Sequence, residues 1–307
     1  MVLIFVKIFI IICLSMSIIS DFSAYATCTE TTNCGADSSV SVFPDITTGQ
    51  ANFNTAHGYH NAGMDITTGD FNTSIGMSSL TLHETADGNT AIGACSMAST
   101  TTGASNVAVG YLALSANCGN SNVALGAESL TACTGATNTG LGKDAGLSVT
   151  SGGNNLFLGF QSGVTGSPGG NITTASNTIV LGDENIANAH IQVALTVASD
   201  ERDKTDFTDL DVGLDFVKQL KPYTYKWDKR SKYGDKTADD YDLNAQTPDG
   251  TYKEDWLDIG FKAQEVEALE QAAGYDKANK TNLAVTMSGD GKQYGMQYEK
   301  LVPILTK

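Results

Sequence analysis

The sequence predicts a mainly β protein, with a parallel β-roll or β-solenoid over residues 50–182 and a small mixed α/β domain over residues 199–307. One observation behind this prediction is a five-residue motif, beginning with Asn and ending with Gly, that occurs seven times. Its closing glycines are spaced 18, 17, 17, 16, 16 and 17 residues apart. The other is a change at Ser199, where a Gly-, Thr- and Asn-rich array gives way to a charged segment with aromatic residues.

The repeat is too short for two helices, and its composition opposes helix, so each period corresponds to one β-rich unit stacked on the next. The closing glycines are Gly58, Gly76, Gly93, Gly110, Gly126, Gly142 and Gly159. The residue before each glycine, apolar in every copy but the first, is predicted to face the core together with the residue two positions earlier. Four places after the glycines come second inward candidates: Leu80, Met97, Leu114 and Leu130. We therefore predict two short strands per coil.

A solenoid of this kind has a thin core. We expect three chains to wind together as a homotrimer and to bury between them the row of small residues at the middle of each strand. Ala91, Ala108 and Ala124 belong to this row.

Residues 1–26 have the features of a secretory signal peptide. Lys7 precedes an apolar run to Ile19, and Ala24-Tyr25-Ala26 supplies a small-residue cleavage site, so we expect cleavage after Ala26. The alternative is an uncleaved anchor, because residues 2–19 approach the length that spans a bilayer. A short N-terminal segment, residues 27–49, precedes the repeats. We expect a secreted or virion-associated product with no membrane association after signal removal.

Export bears on the cysteines. Loss of Cys13 with the signal leaves Cys28, Cys34, Cys95, Cys118 and Cys133. Cys28 and Cys34 are near enough in sequence to close a small loop in an oxidising compartment. The other three are either small buried side chains or one bridge plus a remaining thiol.

No metal site or cofactor is expected, because the cysteines and histidines lack the clustered spacing of metal ligands. His60, His83 and His190 are predicted to lie on the surface, while His57, which replaces the aliphatic residue of the first repeat, indicates a frayed or capping coil rather than a ligand site.

The charge excludes some classes of partner. The formal net charge is −16, and residues 27–198 hold one basic residue, Lys143, against eleven Asp and Glu. Nucleic-acid binding and attachment to anionic membranes both need a basic surface, so neither is expected.

Residues 160–198 end the regular period. Residues 163–170 are predicted to form a loop and residues 177–182 a last strand. Residues 183–198 are predicted to be a connecting strand, in which Ile191 to Val197 alternates weakly and leads to Ala198.

The following domain is predicted from its patterns to contain short helices and strands. Helices are predicted at 212–220, at 263–273 and from Tyr298 onward, with Pro303 inside the last or restarting it. Strands are predicted at 223–227, 259–261 and 283–287, with a long polar loop over 229–255.

Four motifs occur in order along residues 199–307: Ser199-Asp200-x-Arg202-x-Lys204, Leu220-Lys221-Pro222 with Tyr225-Lys226-Trp227, Gly260 to Val266, and Tyr298 to Pro303. Together they resemble the C-terminal intramolecular chaperone of phage endosialidase tail spikes, a self-cleaving serine peptidase family. The resemblance implies that this domain drives trimerisation and folding and then releases itself by cleavage between Ala198 and Ser199.

The residues are compatible with this chemistry. From Ser199 onward there is no His and no Cys, so a serine can be activated there only by a lysine kept neutral by burial or by positive neighbours. The resemblance assigns Ser199 as nucleophile and Lys204 as general base. Asp200 either orients Lys204 or caps the following turn, and capping is favoured.

The chain departs from the family pattern at Asp203 and Lys262, where apolar residues are usual, so packing near the Ser-Lys dyad is expected to differ. The family continues into a long helix where this sequence stops at Lys307. We therefore expect the domain to be truncated at its C-terminus.

The repeat array resembles the heads of trimeric autotransporter adhesins and the shafts of phage fibres, which implies a cell-surface receptor or glycan as partner. The main hypothesis is a self-processing trimeric fibre. The alternative is a non-enzymatic adhesin or structural fibre that retains its C-terminal domain. A glycan- or ice-binding threonine face is a third hypothesis, weakened because only four of the seven motifs have Thr after Asn.

Overall fold

The computed structural model describes residues 40–42, 53–58, 62–63, 66, 68–83, 85–236, 238, 240–279 and 281–307. The predicted signal peptide, the Cys28–Cys34 loop and His60 lie outside these residues. No helix within the described ranges is long and apolar enough to cross a membrane. The chain divides into two compact units. The first extends to Glu184 and includes Asp235–Asp242, and the second comprises Asn185–Gly234 and Leu243–Lys307.

The first unit is a parallel β-solenoid, as predicted. Nine three-residue strands follow one another in a single sheet: β1 Val40–Val42, β2 Thr55–His57, β3 Thr73–Ile75, β4 Thr90–Ile92, β5 Val107–Val109, β6 Val123–Leu125, β7 Thr139–Leu141, β8 Leu156–Leu158 and β9 Ile179–Leu181. Strands β2 to β9 pair in parallel, and β1 is antiparallel to β2. Each period of the sequence therefore supplies one rung of the sheet.

The strands face the opposite way from the prediction. The middle residue of each strand points inward, and Ala91, Ala108 and Ala124 have no exposed surface. The apolar residue before the glycine points outward, so that Leu125 is 51% exposed. The small residues therefore lie inside one chain rather than between chains. Interior space explains this, because a Cβ atom at Gly140 would lie 2.5 Å from the Ser129 hydroxyl oxygen.

The outward apolar residues form a continuous row along the sheet. This outer aliphatic row comprises Ile75, Ile92, Val109, Leu125, Leu141, Leu158 and Leu181. Parallel register places each member beside the next one, one rung along. It leaves a hydrophobic stripe on the outside of the solenoid.

Each coil contains one strand in the described structure, not two. The predicted second strand is replaced by turns, because its residues include left-handed backbone such as φ 59° at Glu128 and 51° at Leu130. Such values interrupt a pleated strand. The inward candidates themselves are correct, since Leu80, Met97, Leu114 and Leu130 are fully buried and fill the interior.

A ladder of buried asparagines runs along the solenoid. It consists of Asn54, Asn72, Asn89, Asn106, Asn122, Asn138 and Asn155. The side-chain oxygen of each accepts the backbone N–H of the next asparagine at 2.7–3.1 Å, and Asn155 accepts that of Thr178 at 2.9 Å. The side-chain amides donate to carbonyls, as Asn122 does to Gly135 O at 3.0 Å. The first position of the motif thus satisfies polar groups that the narrow interior would otherwise bury unpaired.

The histidine prediction is wrong at one position. His83 is completely buried, with Nδ1 3.2 Å from Thr100 O and Nε2 2.9 Å from Ala86 O. Burial lowers its pKa because the charged form is desolvated. His190 is exposed, as expected, and His57 is exposed as well. A neutral histidine can occupy the interior here because its Nδ1–H can donate to Thr100 O while its Nε2 can accept from the Asn89 side-chain amide, 3.0 Å away.

The three cysteines of the repeats are buried in the solenoid. Cys118 and Cys133 are free thiols, which favours their interpretation as small buried side chains. Burial raises the pKa of the Cys133 thiol to about 11.

The second unit is a small mixed α/β structure. Its elements are α1 Leu214–Val217, β10 Tyr223–Tyr225, β11 Asp258–Gly260, α2 Ala263–Ala272, β12 Val285–Met287, β13 Tyr294–Met296 and α3 Leu301–Thr306. Strands β10 and β11 form one antiparallel pair and β12 and β13 another. A core of Val212, Phe216, Ala284, Leu301 and Ile304 joins the helices to the second pair.

Most of these elements were predicted, and several of them are shorter in the structure than in the prediction. Strand β13 was not, because its Gly295 interrupts the apolar pattern. Pro303 lies in the first turn of α3, where a missing N–H is tolerated.

Candidate functional site

The predicted site residues lie in a short turn at the beginning of the second unit. Residues Glu201–Asp203 form a single turn of 3-10 helix, in which the backbone N–H groups of Asp203 and Lys204 donate to the carbonyls of Asp200 and Glu201. The turn reverses the chain over six residues. It therefore brings the side chain of Lys204 back towards Ser199.

Ser199 and Lys204 are in contact. The Lys204 Nζ atom lies 2.5 Å from the Ser199 Oγ atom and 3.4 Å from the Ser199 carbonyl oxygen. A lysine within hydrogen-bond distance of a serine hydroxyl has the geometry in which a neutral amine takes up the serine proton. The structure thus brings together the two residues named as nucleophile and base.

Asp200 caps the turn and contacts Arg202. Its carboxylate accepts the backbone N–H of Arg202 at 2.9 Å and the guanidinium Nη2 at 2.6 Å. These bonds hold the pKa of Asp200 below its usual value, the side-chain bond contributing most. This is the capping geometry rather than an interaction with Lys204.

The site is open to solvent. Every residue from Asn185 to Asp209 is exposed, including Ala198, Ser199 and Lys204. No strand is assigned within residues 183–198, so the predicted connecting strand has no partner in the described chain. A dyad that depends on a desolvated amine is not enclosed by the single chain.

The departures from the family pattern also have places in the structure. Lys262 lies 3.1 Å from Glu265 and 4.3 Å from the centre of the Tyr223 ring, while Asp203 is exposed in the turn itself. Neither Lys262 nor Asp203 requires an apolar environment in this arrangement.

Residues 199–275 match the family model of the chaperone of endosialidase. The match begins at Ser199, the residue at which the composition changes, and it includes the first three of the four motifs. The suspected endosialidase-type chaperone preceded by solenoid repeats is therefore confirmed. Residues 199–275, about a quarter of the chain, are thus similar to this chaperone family. No curated protein and no solved structure matches the chain.

Two features escaped the sequence prediction. The exposure of the segment before and after Ser199 could not be predicted from the sequence. An apolar alternation such as Ile191 to Val197 ordinarily indicates a half-buried strand. The ion pair between the Asp200 carboxylate and the Arg202 guanidinium was not predicted either, although the capping of the turn by Asp200 was favoured.

Proposed function

We propose that this protein is a secreted or virion-associated trimeric fibre whose C-terminal chaperone domain assembles three chains and then cleaves itself off between Ala198 and Ser199. The observation that carries the proposal is the 2.5 Å contact between Lys204 Nζ and Ser199 Oγ at the first residue of the family match. The chaperone role itself rests on that match.

The reaction proceeds through an ester. Ser199 Oγ attacks the carbonyl carbon of Ala198, and its proton passes to Lys204 Nζ. The peptide C–N bond breaks and Lys204 returns the proton to the leaving amino group of Ser199. Water then hydrolyses the ester, which leaves a carboxylate on Ala198 and a free hydroxyl and amine on Ser199. The reaction occurs once per chain, so this is self-processing rather than turnover.

Assembly supplies what the single chain lacks. A lysine acts as a base only when it is neutral, and burial favours the neutral amine. Because Ser199 and Lys204 are exposed in one chain, cleavage awaits enclosure by neighbouring chains. Cleavage would thus follow assembly, and the released fibre would be kinetically trapped in its folded form.

The outer aliphatic row is the surface on which the solenoids would meet. It runs from β3 to β9, and its burial between chains would remove apolar surface from water at roughly 25 cal/mol per Å². This replaces the small-residue face expected from the sequence. Charged substitution in the row, such as Leu125→Asp, should reduce the trimer while leaving the strand register intact.

The test compares the parent chain with Ser199→Ala and Lys204→Arg. The parent should yield two fragments whose junction is Ala198–Ser199, while both variants should remain intact and still trimerise. Thr205→Ala, an exposed neighbour, is the matched control and should cleave like the parent. Fragment masses and N-terminal sequences decide the outcome.

A parent that stays intact as an assembled trimer would remove autoproteolysis from the proposal. Cleavage of Ser199→Ala at the same bond would assign the cut to another protease. The remaining candidate is then the non-enzymatic adhesin or structural fibre with its C-terminal domain retained, for which the exposed outer row provides the assembly surface. A cell-surface receptor or glycan is the expected partner of either fibre.

A further inference from the structure

An apolar groove lies in the second unit, beside α3. Leu220, Phe261 and Leu301 are half-buried or buried in it, and Tyr298, Val302 and Leu305 stand more exposed along it. It encloses about 430 Å³. Val302 and Leu305 are 57% and 59% exposed, because α3 turns Leu301 and Ile304 towards the core instead. The groove is therefore a hydrophobic surface that rests on the core and that the core leaves partly uncovered.

The same unit carries an apolar strip with no cover. We call residues 191–197 the leader segment, because they lead directly to Ala198 and Ser199. Its alternate residues Ile191, Val193, Leu195 and Val197 are 56%, 72%, 79% and 77% exposed. The chain bends at residues 192 and 193 and has no assigned turn or bend from 194 to 197. In an extended chain alternate side chains lie on one face, so Leu195 and Val197 share an apolar edge.

We propose that the groove of one chain binds the leader segment of a second copy of the chain. Both surfaces are apolar, and a strand-like segment with one hydrophobic edge fits an open groove. The segment from Asn185 to Asp209 is exposed throughout, so its own unit does not enclose it. A second copy supplies the same groove in an identical environment.

The charges around the two surfaces agree with this pairing. The stretch after the leader segment, residues 200–211, contains six carboxylates and two basic residues. The immediate surroundings of the groove in sequence carry Lys218, Lys221, Lys262 and Lys300. Three carboxylates, Asp215, Glu265 and Glu299, lie among these lysines. In a chain of net charge −16, the groove is thus a region that an acidic segment can approach without net repulsion.

Docking in this way would regulate the proposed cleavage. Binding of residues 191–197 holds the adjacent Ala198–Ser199 bond against a neighbouring chain, where solvent is excluded from Ser199 and Lys204. The inference rests on the proposed oligomer, and it makes cleavage depend on a contact between chains.

The experiment introduces two cysteines into Ser199→Ala chains, in which the leader segment stays attached. Leu195→Cys is placed in a chain with one tag and Val302→Cys in a chain with another, and the two are co-expressed. Docking should give a reducible covalent species that carries both tags. It should exceed by roughly tenfold or more the yield of a control in which Trp256→Cys replaces Val302→Cys, because docking raises the local concentration of the paired thiols. Trp256 is 79% exposed and does not line the groove.

A chain with both Leu195→Cys and Val302→Cys separates binding within one chain from binding between chains. An internal bridge in the monomer, without linked dimers, would overturn the inference, and so would equal bridging to the Trp256→Cys control. Chains without introduced cysteines should give no bridged species. An assembled trimer without bridging would contradict only this inference. Bridging by chains whose Ser199 parent never cleaves would contradict only the proposed autoproteolysis.

Discussion

In the solenoid, fifteen buried hydrophobic residues form one cluster from Leu80 to Val180, whereas the main core of the second unit buries five, between Val212 and Ile304. Solenoid contacts join neighbours one period apart, as in the asparagine ladder. The core of the second unit joins segments from its beginning and its end. Local, repeated contacts make each coil depend only on the next one. The second unit instead depends on distant contacts, and it leaves apolar side chains such as Val302 and Leu305 exposed.

The substitution with the largest expected effect tests whether the solenoid tolerates a wider spacing between neighbouring coils. Gly126 has φ 139°, and a Cβ atom there would lie 2.4 Å from the carbonyl oxygen of Gly142. Gly126→Ala should lower the free energy of unfolding of the solenoid by about 3–5 kcal/mol, because backbone rather than a flexible side chain must move. Thermal unfolding measures it.

The matched control is Gly169→Ala, where φ is 82° and nothing lies within 4 Å. Gly169→Ala should lower the free energy of unfolding only by the cost of the backbone strain, about 1 kcal/mol. Equal effects of the two substitutions would show that coil spacing is not the constraint.

Loss of one asparagine tests whether the ladder is a structural requirement. Asn122→Ala leaves the N–H of Asn138 without its side-chain acceptor and removes one of the donors to the carbonyl of Gly135. The expected loss is about 2–4 kcal/mol, since buried polar groups lose hydrogen bonds. Asn117→Ala, at an exposed position in the adjacent turn, should cost less than half of that. Stability of Asn122→Ala equal to the parent would contradict the ladder's role.

A buried carboxylate provides the corresponding test in the second unit. Glu270 accepts the backbone N–H groups of Leu283, Ala284 and Val285 at 2.8–3.0 Å, which joins α2 to β12. Glu270→Gln should cost about 2 kcal/mol, because one acceptor becomes a donor that faces an N–H group.

Hydrogen exchange of the amides at 283–285 should accelerate in Glu270→Gln, while the solenoid amides should be unchanged. The exposed Glu299→Gln is the control. Acceleration across both units would mean that they unfold as one, against the distinction drawn between them.

The smallest effect depends on pH. The pKa of Cys133 is raised by burial from 9.0 to about 11, so its neutral form is favoured in the fold. Stability from this group is fully present below pH 9 and declines as pH rises towards 11, by about 1.4 kcal/mol at pH 10. Cys133→Ala should flatten that part of the profile relative to the parent. Identical slopes over pH 9–11 would contradict a buried thiol.

The sequence was sufficient for the repeat, for the strand that ends each motif and for the inward residues after each glycine, because these follow from a fixed period, but the second strand predicted for each coil was wrong. It was not sufficient for the faces of the strands. A three-residue strand with Ala between two aliphatic residues can turn either its middle side chain or its two outer side chains inward. Only the interior space that Leu114 and Leu130 leave decides between these two orientations. In the same way, the family resemblance paired Ser199 with Lys204, but no pattern along the chain indicates whether their contact is enclosed.

The asparagine ladder also gives the solenoid a direction. The oxygen of each asparagine receives an N–H from the coil that follows it in sequence. A coil that joins a finished stack from the N-terminal side finds that N–H already fixed, whereas one added at the opposite end must order its own donor first. Assembly that starts at the C-terminal coil and proceeds towards the N-terminus is therefore the easier path. The C-terminal coil is the one that precedes the second unit in the chain.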